Sequence, residues 1–317
     1  MTLQATAAVA VGNPSGEQIE LRHSGQRAIV VEISGGLRTY EVNGHALLDG
    51  YGADEMCTGA RGQILVPWPN RLRDGRYDFK GTTYQVPLTE PAKRNAIHGF
   101  LRWESWTLAD RGDDWVVLEH ALRPREGYPF FLRLGAEYRL SETGLTATFT
   151  ATNCGDRPCP YGIGAHPYLR VDAETINDCW LEAPGGRHLL EDDQAIPVGV
   201  ADVDGSEYDF RAPRQIRQTE LDTTFVVSMR GADGRAWVRL WPDGEGPGVG
   251  LWMDQAYPYY MLFTGDSLPD ASQRRRAVGV EPMTCAPNAF ASGDGLIVLA
   301  PGEAITSSWG IAPLAQR

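Results

Sequence analysis

The chain has 317 residues, of which 42% are hydrophobic and 22% charged, and its formal net charge is −12. This composition is typical of a globular protein, and the acidic balance argues against binding to nucleic acids or to anionic lipid. No apolar run approaches the ~20 residues that cross a bilayer, and no basic residue precedes the small apolar residues at the N-terminus, which argues against a secretory signal. We therefore expect a cytoplasmic protein with no membrane or nucleic-acid partner.

Apolar and polar residues alternate with a period of two along much of the chain, which predicts β-strands. The clearest pattern is a hairpin, in which "LRLGAEYRL" (132–140) and "LTATFTATN" (145–153) flank the turn "SETG". No long stretch has the apolar spacing of a helix. We predict one all-β domain over residues 1–317 with two packed sheets, and residues 1–16 as a flexible N-terminal extension. Further strands are predicted at 26–34, 76–86, 114–122, 235–241, 259–265 and 295–311.

The five cysteines include no CxxC pair, and their number is odd. This argues against both a disulfide framework and a structural zinc site. Cys154 and Cys159 flank a turn and could approach each other, but we expect free thiols in a reducing compartment.

Four stretches carry side chains suited to chemistry. Asn70 and Arg71 follow a Pro-Trp-Pro turn, and an arginine offers a planar fork of donors for hydroxyl groups or an anion. His98 precedes a glycine, so backbone or ligand could approach it closely. A surface ion pair for Arg71 and a structural loop position for His98 are the competing interpretations.

The second stretch is "YGIGAHPYL", which places His166 between small residues and a proline. Proline favours an extended residue before it, so this imidazole is expected on a strand, either hydrogen-bonded in the core or titrating near neutral pH. Asp222 could bind hydroxyl groups or form a turn. Glu281 follows an apolar strand and precedes a proline, where a carboxylate can be solvated or act as a general base.

Taken together, the pattern NR…HG…GxGAHPY…LDxxF…EPxTxAPxAF resembles the aldose 1-epimerase (galactose mutarotase) family from about residue 17 to 315. The resemblance implies a large antiparallel β-supersandwich. It also implies that His166 is the general acid on the ring oxygen of a sugar and Glu281 the base on the anomeric hydroxyl. Arg71, His98 and Asp222 match positions that bind sugar hydroxyls.

The chain departs from the family pattern at three places. Leu169-Arg170 follows His-Pro-Tyr where Phe-Asn is frequent, Asp222 is followed by threonine instead of a second aspartate, and Asn288 stands where an aspartate is frequent. These departures concern substrate identity more than reaction type. The residues of the Pro-Trp-Pro-Asn-Arg and Thr-Glu-Pro…His-Gly segments most resemble those of a bacterial subgroup of uncharacterised or non-galactose epimerases.

The implied reaction opens a cyclic hemiacetal and closes it on the other face, with one base and one acid and without a cofactor or metal. It requires Glu281 ionised and His166 protonated at the start, a state that a neighbouring carboxylate would favour. Aromatic faces usually line sugar sites, and Trp68, Trp103 and Trp252 are candidates, with core packing as the alternative for each. We include Trp252 and Asn70 among the substrate-binding residues.

Three alternatives stay open. His98, His166 and Glu281 could form a two-histidine, one-carboxylate iron site, although no H-x-H or H-x-D/E pair announces it. The protein could be a non-catalytic sugar-binding β-sandwich. Lys93 and Arg94, just before His98, could instead favour a sugar with an anionic group such as a phosphate or sulfonate, unless both are solvated and paired with acids. We expect a small-molecule sugar as substrate and a monomer or homodimer.

Overall fold

Strands dominate the described part of the chain, which in the computed structural model comprises residues 12–244 and 246–317. Up to residue 153 they are β1 (Gln18–His23), β2 (Gln26–Val31), β3 (Leu37–Val42), β4 (His45–Ala46), β5 (Ile64–Leu65), β6 (Arg71–Arg73), β7 (Arg76–Phe79), β8 (Thr82–Gln85), β9 (Asn95–Ile97), β10 (Thr107–Arg111), β11 (Trp115–Leu122), β12 (Leu132–Ser141) and β13 (Gly144–Asn153).

The second half of the chain continues the same pattern with shorter strands near its start. These strands are β14 (Cys159–Tyr161), β15 (Gly164–Ala165), β16 (Tyr168–Leu169), β17 (Trp180–Glu182), β18 (Gly185–Glu191), β19 (Pro197–Asp202), β20 (Arg214–Gln215), β21 (Asp222–Val227), β22 (Ala236–Trp241), β23 (Gly248–Met253), β24 (Tyr259–Phe263), β25 (Val278–Met283), β26 (Ile297–Leu299) and β27 (Ala304–Leu314). Short helices lie at Pro91–Lys93, Leu101–Trp103, Ala271–Gln273 and Ala289–Ser292.

Two large antiparallel sheets carry most of these strands. One has nine strands in the order β10-β11-β12-β13-β27-β23-β22-β17-β20. The other has eight, in the order β19-β18-β21-β24-β25-β15-β5, with β16 also paired to β25. Buried side chains of both sheets belong to one hydrophobic core. The prediction of an all-β, large antiparallel β-sandwich is therefore confirmed.

The predicted hairpin is β12 and β13, paired from Leu132–Asn153 to Ser141–Gly144. Its apolar residues at every second position are buried and the residues between them are half-buried or exposed, because one face of the hairpin covers the core. The other predicted strand segments also contain strands: β2, β7 and β8, β11, β22, β24, and the pair β26 and β27.

Strand β25 crosses the middle of the eight-stranded sheet and is buried along its whole length. On one side it pairs with β24, and on the other with two short strands, through Gly164–Met283 of β15 and Tyr168–Gly279 of β16. Between these two pairs the ladder is interrupted. In this register Pro282 of β25 faces Ala165 and Pro167 faces Val280, and neither proline has an N–H to donate across the gap, so β15 and β16 do not join into one strand.

The structure also bears on the predictions for the N-terminal extension, the cysteines and membrane spans. Residues 1–11 lie outside the described residues, but Ser15 is 3% exposed and its carbonyl accepts a hydrogen bond from the Ile33 amide, so the packed body starts before residue 17. All five cysteines are free, with Cys154 exposed and the other four buried. No helix in residues 12–244 or 246–317 is long and apolar enough to span a bilayer. The single-domain assignment stays a prediction.

Candidate active site

A cavity of about 210 Å³ opens over the middle of the eight-stranded sheet. This volume is below the roughly 300–1,000 Å³ of sites for drug-sized ligands, so it suits one small molecule. Six of the seven predicted site residues line it: Asn70, Arg71, His98, His166, Asp222 and Glu281.

His166 and Glu281 face each other across the interrupted ladder. Continuing the register from Gly164–Met283 towards Tyr168–Gly279 places residue 166 opposite residue 281, so both side chains leave the sheet on the same face. Nε2 of His166 lies 3.1 Å from Oε1 of Glu281, and both side chains are almost fully buried. The sheet thus holds an imidazole and a carboxyl group in hydrogen-bonding contact at the wall of the cavity.

Burial decides where the proton of this pair resides. Loss of solvent raises the pKa of Glu281 to about 8, with the charge of Asp222 adding to the effect, and lowers the pKa of His166 to about 3, with the charge of Arg102 adding to it. The ligand-free pair therefore carries one proton, on Glu281. These shifts favour the opposite of the expected starting state, in which Glu281 is ionised and His166 is protonated, because burial disfavours the charged form of each group.

Asn70 and His98 hold each other in left-handed backbone conformations, with φ values of 55° and 62°. The His98 amide donates to the Asn70 carbonyl at 2.8 Å, and the Asn70 amide donates to Nδ1 of His98 at 3.1 Å. Nδ1 must therefore be unprotonated, which puts the ring proton on Nε2. Burial and the charge of Arg102 hold the pKa of His98 well below its usual range, so the ring is a neutral donor through Nε2.

This tautomer bears on the iron-site alternative. One ligand atom each from His98, His166 and Glu281 lies within 4.8 Å of the others, so the trio does converge. A neutral histidine binds a metal through an unprotonated nitrogen. In His98, Nδ1 already accepts the Asn70 amide and Nε2 carries the proton, so metal binding would cost that hydrogen bond. The arrangement suits hydrogen bonding to a ligand better than metal ligation.

Arg71 reaches the cavity from the start of β6. Its Nε and Nη2 donate to the two oxygens of Glu90 at 2.9 and 3.1 Å, which leaves Nη1 for another acceptor. Asp222 starts β21 and pairs with Phe263 of β24, while Met261 of β24 pairs with Glu281. Asp222 and Glu281 therefore lie on the same face of the sheet, two strands apart, with a free arginine nitrogen nearby.

The cavity wall also contains residues that we did not predict, among them Arg102 and Tyr168. Arg102 donates through Nε to Oε1 of Gln63 at 2.7 Å, and it forms no ion pair with any residue in 12–244 or 246–317. The ring of Tyr168 stacks on His166 with centroids 5.0 Å apart and 13° between the planes. A signal for Tyr168 was present in the His-Pro-Tyr segment, whereas Arg102 in "GFLRW" looks like an ordinary surface arginine.

A further carboxyl group lies at the edge of the site. Glu191 ends β18, and its Oε1 is buried without a hydrogen-bond partner among the described residues. Burial, followed by the negative charge of Asp222, raises the pKa of Glu191 to about 7. No motif in the sequence pointed to it.

The predicted aromatic residues do not line the cavity. Trp252 lies on β23 in the nine-stranded sheet, with the guanidinium of Arg235 3.9 Å from its ring centroid, so its assignment to substrate binding was wrong. The error arose because aromatic residues at strand positions serve both cores and sugar sites. Trp68 is buried against Phe100, and Trp103 is 48% exposed outside the cavity.

Lys93 and Arg94 do not line the cavity either. Lys93 ends the short helix Pro91–Lys93, and Arg94 is largely exposed and pairs with Asp74 at 2.9 Å. The solvated interpretation therefore fits Arg94, whereas Lys93 is half-buried outside the cavity.

Comparisons with known proteins point in one direction. The sequence model of the family described as aldose 1-epimerase matches residues 17–311. The uncharacterized protein YihR of Escherichia coli K12 is 31% identical over 291 residues, covering 91% of each chain. The aldose 1-epimerase of the same organism is 26% identical over 199 residues, covering 60% of this chain and 56% of its own.

Solved structures share the fold over nearly the whole chain. The GalM/aldose epimerase homologue from C. elegans has a TM-score of 0.84 at 18% identity, covering 95% of this chain and 99% of its own. A galactose 1-epimerase from Lactobacillus acidophilus has a TM-score of 0.79 at 19% identity, covering 95% of each chain. At these sequence identities the solved structures establish the fold alone. Family membership is shown by the sequence, through the family model and the 31% identity to YihR. The chain belongs to the aldose 1-epimerase family.

Proposed function

We propose that the protein is an aldose 1-epimerase, or mutarotase, which interconverts the α and β anomers of an aldohexose. The observation that carries this proposal is the buried pair of His166 and Glu281, with 3.1 Å between Nε2 and Oε1 at the cavity wall. Opening a cyclic hemiacetal requires removal of a proton from the anomeric hydroxyl and delivery of a proton to the ring oxygen. One base and one acid held side by side can do both.

In the proposed step, the Glu281 carboxylate takes the proton of the anomeric hydroxyl while His166 gives the proton on Nε2 to the ring oxygen. The bond between C1 and the ring oxygen breaks, and C1 becomes an aldehyde. Rotation about C1–C2 presents the other face of the aldehyde, and the same transfers in reverse close the ring. The step ends with the proton on Glu281 and a neutral His166.

The ligand-free pair already has that final distribution, because burial keeps its one proton on Glu281. Ring opening therefore begins with transfer of this proton to His166 along the Nε2–Oε1 hydrogen bond. Sugar hydroxyl groups that donate to the Glu281 carboxylate stabilise its ionised form and so favour this transfer. Oε2 of Glu281 has no partner among the described residues and is available to accept such a hydroxyl.

The remaining residues are proposed to hold the sugar. His98 donates through Nε2, Arg71 donates through Nη1, and the exposed carboxylate of Asp222 accepts from hydroxyl groups. Asn70 acts indirectly, since its amide fixes the His98 tautomer and its side-chain oxygen accepts from the Arg71 amide at 2.8 Å. Preorganised donors and acceptors of this kind orient the ring between the acid and the base.

Anomer exchange measured by polarimetry or exchange NMR across a panel of hexoses tests the proposal. His166→Ala and Glu281→Gln should each retain less than about a tenth of kcat while circular dichroism matches the wild-type protein. A folded variant that keeps more than this would remove its residue from the proton-transfer role. Sugar binding to the wild-type protein without any catalysed exchange would instead support the non-catalytic sugar-binding alternative.

A second candidate substrate is a sugar with an anionic group, such as a phosphate or sulfonate. Arg102 favours it, because this half-buried guanidinium lines the cavity, is fixed by Gln63 and has no ion-pair partner among residues 12–244 and 246–317. A partly buried cation without a counter-ion loses hydration that nothing replaces, and an anionic ligand would supply the missing charge. Lys93 and Arg94 do not contribute to this argument, since both lie outside the cavity.

One kinetic comparison distinguishes the neutral hexose from the anionic sugar as the substrate. If the substrate is anionic, kcat/KM for glucose 6-phosphate or its 6-sulfonate analogue should exceed that for glucose at low salt, and Arg102→Gln should remove the difference. Equal values for neutral and anionic sugars, or a preference that survives in Arg102→Gln, would reject the anionic candidate and leave the neutral hexose.

A further inference from the structure

A smaller cavity, of about 140 Å³, adjoins the active-site cavity. Ile97 and Arg102 line both cavities, and because each of them is half-buried, a ligand can pass over them from one cavity to the other. The rings of Trp68, Phe100 and Trp103 belong to the wall of the smaller cavity and not to that of the active-site cavity. The adjoining cavity therefore extends the active site with an aromatic surface that the proposed reaction does not use.

The aromatic residues of this wall differ in how much of their surface is free. Trp68 is 3% exposed and packs edge to face on Phe100, with 4.9 Å between the ring centroids, so core packing fixes this part of the wall. Trp103 ends the short helix Leu101–Trp103 and is 48% exposed, although tryptophan is on average a highly buried residue. Its indole ring thus offers apolar surface beside a cavity, as aromatic residues do in small-molecule sites.

Arg102 supplies hydrogen-bond donors at the junction of the two cavities. Its Nε donates to Oε1 of Gln63 at 2.7 Å, and Nε2 of Gln63, which is 2% exposed, donates back to the Arg102 carbonyl at 2.7 Å. The guanidinium carbon lies 5.6 Å from the ring centroid of Trp103. Nη1 and Nη2 of Arg102 form no hydrogen bond with the described residues and keep accessible surface, so they are free to donate to a ligand.

An aromatic surface next to free donors matches the chemistry of a sugar ring. A pyranose presents C–H groups on its faces and hydroxyl groups around its edge, so one face can pack on the indole of Trp103 while an edge oxygen accepts from Arg102. An aliphatic group would cover the same donors without accepting a hydrogen bond, which is costly. Because 140 Å³ is too little to enclose a ring, the second face of the sugar is expected to stay in solvent.

We infer that the adjoining cavity binds the second ring of a reducing disaccharide, whose first ring undergoes anomer exchange at His166 and Glu281. This inference rests on the proposed function. The first ring must keep its anomeric hydroxyl free, so the second ring is attached through another hydroxyl group and leaves the active-site cavity past Arg102. The second ring takes no part in proton transfer. Its contacts act in the ground and transition states alike, so they lower KM more than they raise kcat.

Exchange NMR with glucose and with disaccharides that have glucose at the reducing end tests the inference. The probes are maltose and cellobiose, linked through C4, and isomaltose and gentiobiose, linked through C6. At least one disaccharide should exceed glucose in kcat/KM by roughly tenfold, mainly through KM. Trp103→Ala should remove this gain and leave glucose exchange unchanged, because a single ring in the active-site cavity does not reach Trp103. Trp103→Phe keeps an aromatic face and should retain part of the gain.

The control variant Val198→Ala changes an exposed apolar residue on β19 and should match the wild type with every sugar. Glucose exchange without a gain for any disaccharide would overturn the inference and leave the proposed function intact. An equal effect of Trp103→Ala on glucose and on the disaccharides would also overturn it. So would an equal gain for glucose acylated on its C6 hydroxyl, which would show a general apolar site. If no sugar is exchanged, glucose included, the proposed function fails and the inference fails with it.

Discussion

The protonation of the His166–Glu281 pair predicts an unusual pH dependence of catalysis. The proposed reaction needs one proton on the pair. The one-proton form of the pair loses this proton as pH rises through about 8, the pKa of Glu281. It gains a second proton as pH falls towards about 3, the pKa of His166. The plot of log kcat/KM should therefore be flat between about pH 5 and 7. The one-proton form is half populated at about pH 8 and roughly a tenth populated at about pH 9.

A pair with ordinary pKa values would behave differently. With a carboxyl pKa near 4.3 and an imidazole pKa near 6.5, the one-proton form of the pair would be lost as pH rises through about 6.5. The alkaline limb of the profile would then lie roughly 1.5 pH units lower than the limb expected at about pH 8. The assay is exchange NMR from pH 5 to 10, corrected for the uncatalysed reaction at each pH, with Glu281→Gln as the control that lacks the titrating carboxyl group. An alkaline limb centred near 6.5 in the wild-type protein would refute the burial argument.

Three further predictions concern single residues. At pH values above about 5, Glu281→Gln should have a higher thermal unfolding midpoint than the wild type. The pKa of Glu281 is about 8 in the folded state in place of 4.5, so the wild type loses about 1.4 kcal/mol of stability per pH unit between those values. Equal midpoints of the two proteins in thermal melts at pH 7 would contradict this. Arg71→Ala should raise KM as well as lower kcat, since its contacts act in the ground and transition states alike, and initial rates with unchanged KM would exclude it from substrate binding. Tyr168→Phe keeps the ring that stacks on His166 and should retain most of kcat, whereas Tyr168→Leu should lower it; similar rates for the two would argue against a positioning role for the ring.

Local sequence patterns were sufficient for several of the longer strands but not for the contacts between strands. The hairpin of β12 and β13 followed from alternation, because neighbouring strands share one turn and one buried face. The contact between His166 and Glu281 could not be derived in the same way. These residues are far apart in the chain, and their register depends on two short strands and on two prolines that interrupt the ladder.

Charge was the hardest property to predict. The implied reaction required an ionised Glu281 and a protonated His166, whereas burial, which only the tertiary structure reveals, favours the opposite. The same limit affected the cations. Lys93 and Arg94 stood out because they are adjacent in the sequence, but Arg102 is the arginine that the fold turns into the cavity.

The position of β25 has a consequence for how the protein inactivates. Many binding sites lie on loops that open independently of the core, and their activity fades before the protein melts. Here Glu281 is on a central strand, buried between β24 on one side and β15 and β16 on the other. Such strands belong to the slowest-exchanging unit of a fold. The acid and the base are therefore separated only when the sheet itself comes apart, so catalytic lifetime and cooperative melting are expected to be the same event.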